Sequence, residues 1–200
     1  SVNLQYFQEM RDAGTSALDA VDTALEGAKR IERVIDNTLG LARMTPPRIR
    51  EESINDIAGQ AIGFVKLSLQ QKGLELHTAL GEILPPVRVD ARQIQQVLIN
   101  LLQNAIDATP SGNSILLKTY DIEGTLQLIE GTPTERNVVL SIRDTGVGIP
   151  LDRMADLFEP LKTTKPGGTG LGLALSKRIL DGHNAEIQVE PAEGGGTMVR

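Results

Sequence analysis

Three short motifs stand in a set order along this chain, and their order and spacing constrain its fold more than any other feature. The first, Asn100-Leu101-Leu102-Gln103-Asn104-Ala105, lies on an amphipathic pattern from Ala91 to Ala108 that predicts a helix. The second, Asp144-Thr145-Gly146-Val147-Gly148-Ile149-Pro150, follows an apolar run over Val138 to Ile142 that predicts a strand. The third, Gly168-Thr169-Gly170-Leu171-Gly172-Leu173, opens a helical pattern running from Gly170 to Leu180. Each motif alone is weak evidence. All three in this order suggest one shared pocket.

The periodicity divides the chain in two. Within residues 1–45, Val21, Leu25, Ala28, Ile31, Ile35, Leu39 and Ala42 recur at spacings of three and four, with Asp22, Glu26, Lys29, Glu32 and Asp36 between them. Asp12 to Ser16 separates this stripe from a shorter apolar segment, Val2 to Met10, so the pattern predicts a helical hairpin. Such a stripe cannot be buried within a thin hairpin. It calls for a partner, most simply its own copy in a four-helix bundle. Thr45-Pro46-Pro47 ends the second helix, because proline removes a donor and disfavours a helical residue before it.

From 48 to 200 the signals alternate. Ile54 to Gln71 predicts a helix and Leu74 to Leu80 a strand. After the helix at Ala91 come strands at Ser114 to Tyr120, Thr125 to Ile129 and Asn137 to Arg143. The helix from Gly170 precedes short strands at Glu186 to Val189 and Thr197 to Arg200. Strands outnumber helices and cluster as hairpins. The expected class is therefore α+β: the hairpin, followed by an α/β sandwich rather than a doubly wound parallel sheet.

Each motif offers a particular chemistry. Asn100 and Asn104 are four apart, so on a helix their amides share a face. An amide oxygen is a neutral hard ligand, suited to a magnesium ion that keeps several waters and also holds phosphate oxygens. Asp144, at a strand end, can accept a hydrogen bond from the amino group of adenine; guanine would present an acceptor there and be refused. Gly146 and Gly148 would let a planar base approach the backbone. The third motif opens a helix, whose unpaired N–H groups favour phosphate. It lacks the sixth-position glycine of a dinucleotide fingerprint, where Leu173 stands, and no G-x-x-x-x-G-K-[ST] occurs. The stretch Phe158 to Gly167 is rich in turn formers and suits a mobile lid, with Lys162 and Lys165 as phosphate counter-charges or as ordinary surface lysines. Together these point to ATP and magnesium.

Composition excludes other classes. The net charge of −6 argues against a nucleic-acid footprint, and the absence of cysteine removes disulfide and thiolate metal sites. No apolar run approaches the roughly 18 residues that span a bilayer, and no secretory signal opens the sequence, so a cytoplasmic location is expected for this stretch. His77 and His183 are the only histidines; the first is expected at the surface of a strand, and the second at a helix end where the dipole favours it.

Residues 48–200 resemble the catalytic ATP-binding domain of sensor histidine kinases, in the superfamily shared with gyrase-type ATPases. Gln96 to Ala108 resembles the N box, Asp144 to Pro150 the first glycine box, Leu157-Phe158-Glu159-Pro160 the F box and Gly168 to Leu173 the second glycine box; Gly195-Gly196-Thr197 resembles the last one. Residues 1–45 resemble part of the dimerisation domain, with Ala28-Lys29-Arg30-Ile31 and Leu39-Gly40-Leu41-Ala42-Arg43 typical in type. The wording of the boxes is nearest to the nitrogen-regulation type.

The resemblance implies that Asn104 holds magnesium, with Asn100 beside the phosphates and Asp107 on the same helix. It implies that Asp144 reads adenine with Thr197 behind it, and that Gly170, Leu171 and Gly172 offer amides to phosphate. Gly146, Gly148, Lys162, Thr163, Thr164, Lys165, Gly168, Thr169 and Leu173 complete the expected nucleotide contacts. The implied activity moves the γ-phosphoryl of Mg-ATP to a histidine and then to an aspartate of a response regulator receiver domain, within a homodimer formed through residues 1–45. The rival reading is a degenerate ATP-binding dimer scaffold. Three departures stand out. The phosphoacceptor histidine is absent, and Ser1-Val2-Asn3-Leu4 resembles the sequence that follows it, so the acceptor is expected upstream and the 200 residues alone are expected not to phosphorylate themselves. Leu161-Lys162 replaces the usual pair of aromatics after Glu-Pro, and Asn184-Ala185 stands where Gly-Gly is frequent.

Overall fold

The computed structural model describes residues 27, 46–123, 136–163 and 169–200. The expected hairpin over 1–45 and the expected strand at Thr125 to Ile129 lie outside the described residues. Thr45–Thr163 and Gly170–Arg200 form one compact unit, and it is this unit that can be built up from its sequence.

Helix α1 spans Ile54–Lys72, α2 spans Ala91–Ala108 and α3 spans Gly172–Asp181. Their starts follow capping chemistry. Ser53 accepts the Asp56 N–H ahead of α1, and Asp90 accepts the N–H groups of Arg92 and Gln93 ahead of α2. The strands are β1 (Arg50–Glu52), β2 (Glu75–Leu80), β3 (Val87–Val89), β4 (Ser114–Glu123), β5 (Arg136–Asp144), β6 (Val189–Pro191) and β7 (Thr197–Val199). β1 and β3 pair antiparallel as a small separate ribbon. The other five form a mixed sheet in the order β2-β4-β5-β7-β6, in which only the β2–β4 pairing is parallel. A 3-10 helix, Leu151–Asp156, follows β5.

The core is aliphatic, as a chain with 2% aromatics must make it. Ile57, Ala61, Val65 and Leu69 of α1 and Ile94, Val97, Leu98, Leu101, Leu102 and Ile106 of α2 are buried. Ile115 and Leu117 of β4, Ile142 of β5 and Leu175 and Ile179 of α3 are buried with them. Burying each such side chain contributes roughly 1.5–3 kcal/mol. The result is a sandwich of helices on a sheet, as expected from the strand-rich alternation.

The differences are local. The short ribbon β1–β3 was not expected, and β6 lies later than the expected Glu186 to Val189. Gln188 and Arg200 nevertheless exchange backbone hydrogen bonds at 2.7 and 2.9 Å, so pairing runs one residue beyond the strand. Helix α3 begins at Gly172 rather than Gly170, because Gly170 has φ +65 and its carbonyl turns back to accept the Leu161 N–H at 2.9 Å.

Candidate functional site

Strand β5 delivers Asp144 into the interior, where it is 4% exposed. A carboxylate so placed must be hydrogen-bonded. Its Oδ1 accepts the N–H of Gly146 at 2.8 Å and that of Thr197, from β7, at 3.2 Å. The turn before β7 presses on the same residue, since a Cβ on Gly196 would collide with the Asp144 carbonyl. Gly148 in turn lies against Gly196. Gly146 has a packing task of its own. The space of its missing Cβ faces the Ala108 carbonyl at 2.5 Å, so the glycine serves the docking of this loop on the end of α2. Val147 completes that docking by donating to the Ala108 carbonyl at 3.3 Å.

Helix α2 carries the asparagines. Asn100 and Asn104 are both half-buried, one turn apart. Asn100 Nδ2 donates to Ser176 Oγ of α3 at 2.8 Å. Asp107 is exposed and its Oδ1 accepts from Gln103 at 2.8 Å. Lys72, at the end of α1, donates to the carbonyls of Ile106 and Asp107, satisfying acceptors that a helix end leaves unpaired.

The lid flanks are described and its middle is not. Thr164, Lys165 and Gly168 lie outside the described residues. Thr163 is exposed, Thr169 and Leu173 are half-buried, and Leu171 is buried. Leu161, where an aromatic is usual, is 74% exposed with φ +67. Lys162 is engaged by its own loop: its ammonium lies 3.3 Å from Asp156 and 3.5 Å from Glu159. The hydrogen bond and charge of Asp156, then of Glu159, hold its pKa above the ordinary lysine value.

His183 lies at the end of α3, as expected, and meets a carbonyl of the last turn. Its Nδ1 lies 2.7 Å from the Ile179 carbonyl, and its Nε2 accepts the Asp90 N–H at 3.0 Å. With Nε2 accepting from Asp90, Nδ1 is the ring nitrogen that can donate to the Ile179 carbonyl. His77 is exposed beside Glu75, as expected. Asp90 also accepts the Arg48 N–H at 2.8 Å. Partial burial works to raise the Asp90 carboxyl, but the N–H groups of Arg48, Gln93 and Arg92 outweigh it and set its pKa below the ordinary value. Sequence reasoning missed Asp90, Ser176 and the Ala108 carbonyl. Only Asp90 had a signal, an N-cap residue ahead of a strong helix pattern.

Asp144, Gly146 and Thr197 thus form one hydrogen-bonded cluster, and Asn100 meets Gly172 and Ser176 in another; α2 touches both. Residues 89–200 match the family model described as histidine kinase-, DNA gyrase B-, and HSP90-like ATPase. The chain belongs to this family. Sporulation kinase E of Bacillus subtilis (strain 168) is 33% identical over 170 residues, covering 85% of this chain and 22% of that protein. The sensory histidine kinase/phosphatase NtrB of Rhodobacter capsulatus is 32% identical over 182 residues, 88% of this chain and 50% of that protein. Among solved structures, full-length ShkA in complex with AMPPNP matches with a TM-score of 0.72 at 25% identity, covering 88% of this chain and 36% of that one. The chain therefore spans half or less of the length of these relatives. It carries a catalytic ATP-binding domain of the histidine kinase type.

Magnesium and nucleotide can be tested against the residues present. Among the described residues no group of three His, Cys, Asp or Glu side chains could hold a metal ion. The available donor set is the amide face of α2, which suits an ion that keeps its waters and leans on phosphate oxygens. The buried Asp144 and the N-terminus of α3 suit the two ends of a nucleotide, one an amino group and the other an anion. The residues fit the group.

Proposed function

We propose that this chain is the ATP-binding part of a protein histidine kinase, moving the γ-phosphoryl of Mg-ATP to a histidine and then to an aspartate of a response regulator receiver domain. The observation that carries the reading is Asp144 at the end of β5, buried and held by the backbone of Gly146 and Thr197. A carboxylate fixed there selects an amino-bearing base by hydrogen bond and refuses a carbonyl-bearing one. Asn104 would hold the magnesium ion, which supplies charge neutralisation on the phosphates when bound. The amides of Gly170, Leu171 and Gly172 would meet the phosphates, with Lys162 and Lys165 as counter-charges and Thr163, Thr164, Gly168, Thr169 and Leu173 as further contacts. In the transfer, the bond from the γ-phosphorus to the bridging oxygen of ADP breaks as a bond to an imidazole nitrogen forms. The protein's part is positioning and charge stabilisation.

The acceptor is not among these 200 residues in our reading. Both ring nitrogens of His183 are occupied by backbone partners, and His77 sits on an exposed strand beside Glu75. We further propose that residues 1–45 form the homodimer, on the strength of their apolar stripe, and that the domain works in the cytoplasm, where ATP is supplied. No described helix is long and apolar enough to cross a membrane.

Calorimetry with Mg-ATP and Mg-GTP tests the reading. The expected result is binding of the adenine nucleotide well above the guanine one. Equal affinities would refute it.

A further inference from the structure

Helices α2 and α3 meet through three residues whose arrangement bears on what Asn100 does. Asn100 Nδ2 donates to Ser176 Oγ at 2.8 Å, joining residues 76 apart. Ser176 is 1% exposed and Asn100 half-buried, so this is a part-buried polar contact with its acceptor end inside. The same amide fills the space beside Gly172. A Cβ there would lie 2.9 Å from Asn100 Cγ and 3.0 Å from its Nδ2, with the amide oxygen closer still. Gly172 has no positive φ, so its backbone does not demand glycine; a Cβ there would instead have to displace the Asn100 amide. Gly172 and Ser176 are four apart and share a face of α3. One side chain of α2 therefore grips the first turn of α3 at both ends of that turn. Leu171, just before it, is buried, and its carbonyl accepts the Leu175 N–H at 2.9 Å, which closes the same turn.

We infer that Asn100 is a positioning residue, acting on the nucleotide through Gly172 and Ser176 by fixing the first turn of α3. This rests on the nucleotide reading above and refines it. The resemblance sets Asn100 beside the phosphates, whereas the contacts here give its amide a partner on the helix whose leading N–H groups would meet them. The orientation of those N–H groups depends on how the first turn is held, and a small displacement of a turn weakens such an anion site.

Titrating Mg-ADP into the full 200-residue chain provides the test, using Asn100→Ala, Ser176→Ala and the double variant. Losing one buried hydrogen bond of this kind weakens affinity about threefold to tenfold. Each single variant is expected in that range, and the double variant within about twofold of Asn100→Ala, because the two residues act as one unit. Gly172→Ala is expected to weaken binding in the wild-type background, and to cost little once Asn100→Ala has vacated the space. Losses that multiply in both combinations would overturn the inference, since Asn100 would then meet the nucleotide directly. A second measurement needs no nucleotide: amide hydrogen exchange at Leu175 and Ser176 is expected to quicken in Ser176→Ala and Asn100→Ala, while Leu102 in the core keeps its protection. Unchanged exchange would also overturn it. A wild-type chain that bound no Mg-ADP would refute the nucleotide reading itself, and the exchange data distinguish that failure from failure of the interhelical contact.

Discussion

Asp144 Oδ1 accepts the backbone N–H of Thr197 at 3.2 Å, tying the end of one strand to the start of another 53 residues later. The same oxygen accepts the Gly146 N–H at 2.8 Å. This divides the effects of substitution. Asp144→Ala strands two buried donors and is expected to destabilise the fold by about 1–3 kcal/mol, which confounds any binding measurement. Asp144→Asn keeps an acceptor oxygen for both N–H groups but can place an amide donor toward the base. Its expected outcome is near-native thermal stability, with the preference for ATP over GTP lost or reversed in calorimetry. Full retention of the adenine preference would place base selection elsewhere.

Asp90 gives a pH prediction with a definite sign. Its carboxyl titrates below the ordinary value in the folded protein because it accepts N–H groups of Arg48, Gln93 and Arg92 against the opposing effect of partial burial. A depressed carboxyl contributes stability above its unfolded pKa, near 3.9, and loses it as pH falls through the folded value. Asp90→Ala should therefore cost about 1 kcal/mol at pH 7, as for other N-caps. The gap to wild type should begin to narrow below about pH 4 and go on narrowing as pH falls through the folded value. Denaturant titrations at pH 7 and pH 3.5 check it; a gap of equal size at both would show that packing rather than charge is lost.

Much of this fold was legible because the strongest signals are local. The stripe Ile94, Val97, Leu98, Leu101, Leu102 and Ile106 places α2 from sequence alone, whereas the caps Ser53 and Asp90 went unread although their side-chain chemistry marks helix starts. The ribbon of Arg50–Glu52 and Val87–Val89 escaped notice because three residues cannot display a period of two. At the site, glycines announced that backbone comes close but not what it comes close to. Gly146 faces Ala108 and Gly172 faces Asn100, relationships across 38 and 72 positions that no local pattern encodes. The same holds for His183, whose helix-end position was legible but whose second partner, Asp90, lies 93 residues away.

Leu161 holds a left-handed backbone, with φ +67 and a side chain 74% exposed. A non-glycine residue there costs roughly 1–2 kcal/mol, against the 0.5–1 kcal/mol that glycine loses in chain entropy. The Leu161 N–H to Gly170 carbonyl bond at 2.9 Å does not depend on the side chain. Leu161→Gly is thus expected to stabilise the domain by up to about 1 kcal/mol, and Leu161→Val to destabilise it, since branching at Cβ worsens the strain. Thermal unfolding of the two variants decides the matter. A clear loss of stability in Leu161→Gly would mean that the leucine side chain is engaged despite its exposure.

Lys162 supports the final prediction, because it is placed in competition. In the nucleotide reading it would reach phosphate, yet its ammonium lies 3.3 Å from Asp156, just before the stretch read as a lid, and 3.5 Å from Glu159 at its start. Leaving those carboxylates for a phosphate exchanges one anion for another, so the acids reduce what the lysine adds to binding. Asp156→Asn with Glu159→Gln removes the competitors. Mg-ATP affinity should rise by up to about fivefold at low salt, the scale of an exposed ion pair, and the gain should shrink toward nothing near 1 M salt. Removing two negative charges also favours any anion in a general way, so the decisive comparison uses a Lys162→Ala background. If the acids act by holding Lys162, the double neutralisation should give little there. An equal gain with and without the lysine would show that the carboxylates act on the nucleotide through the overall field of the domain and that Lys162 is a surface residue.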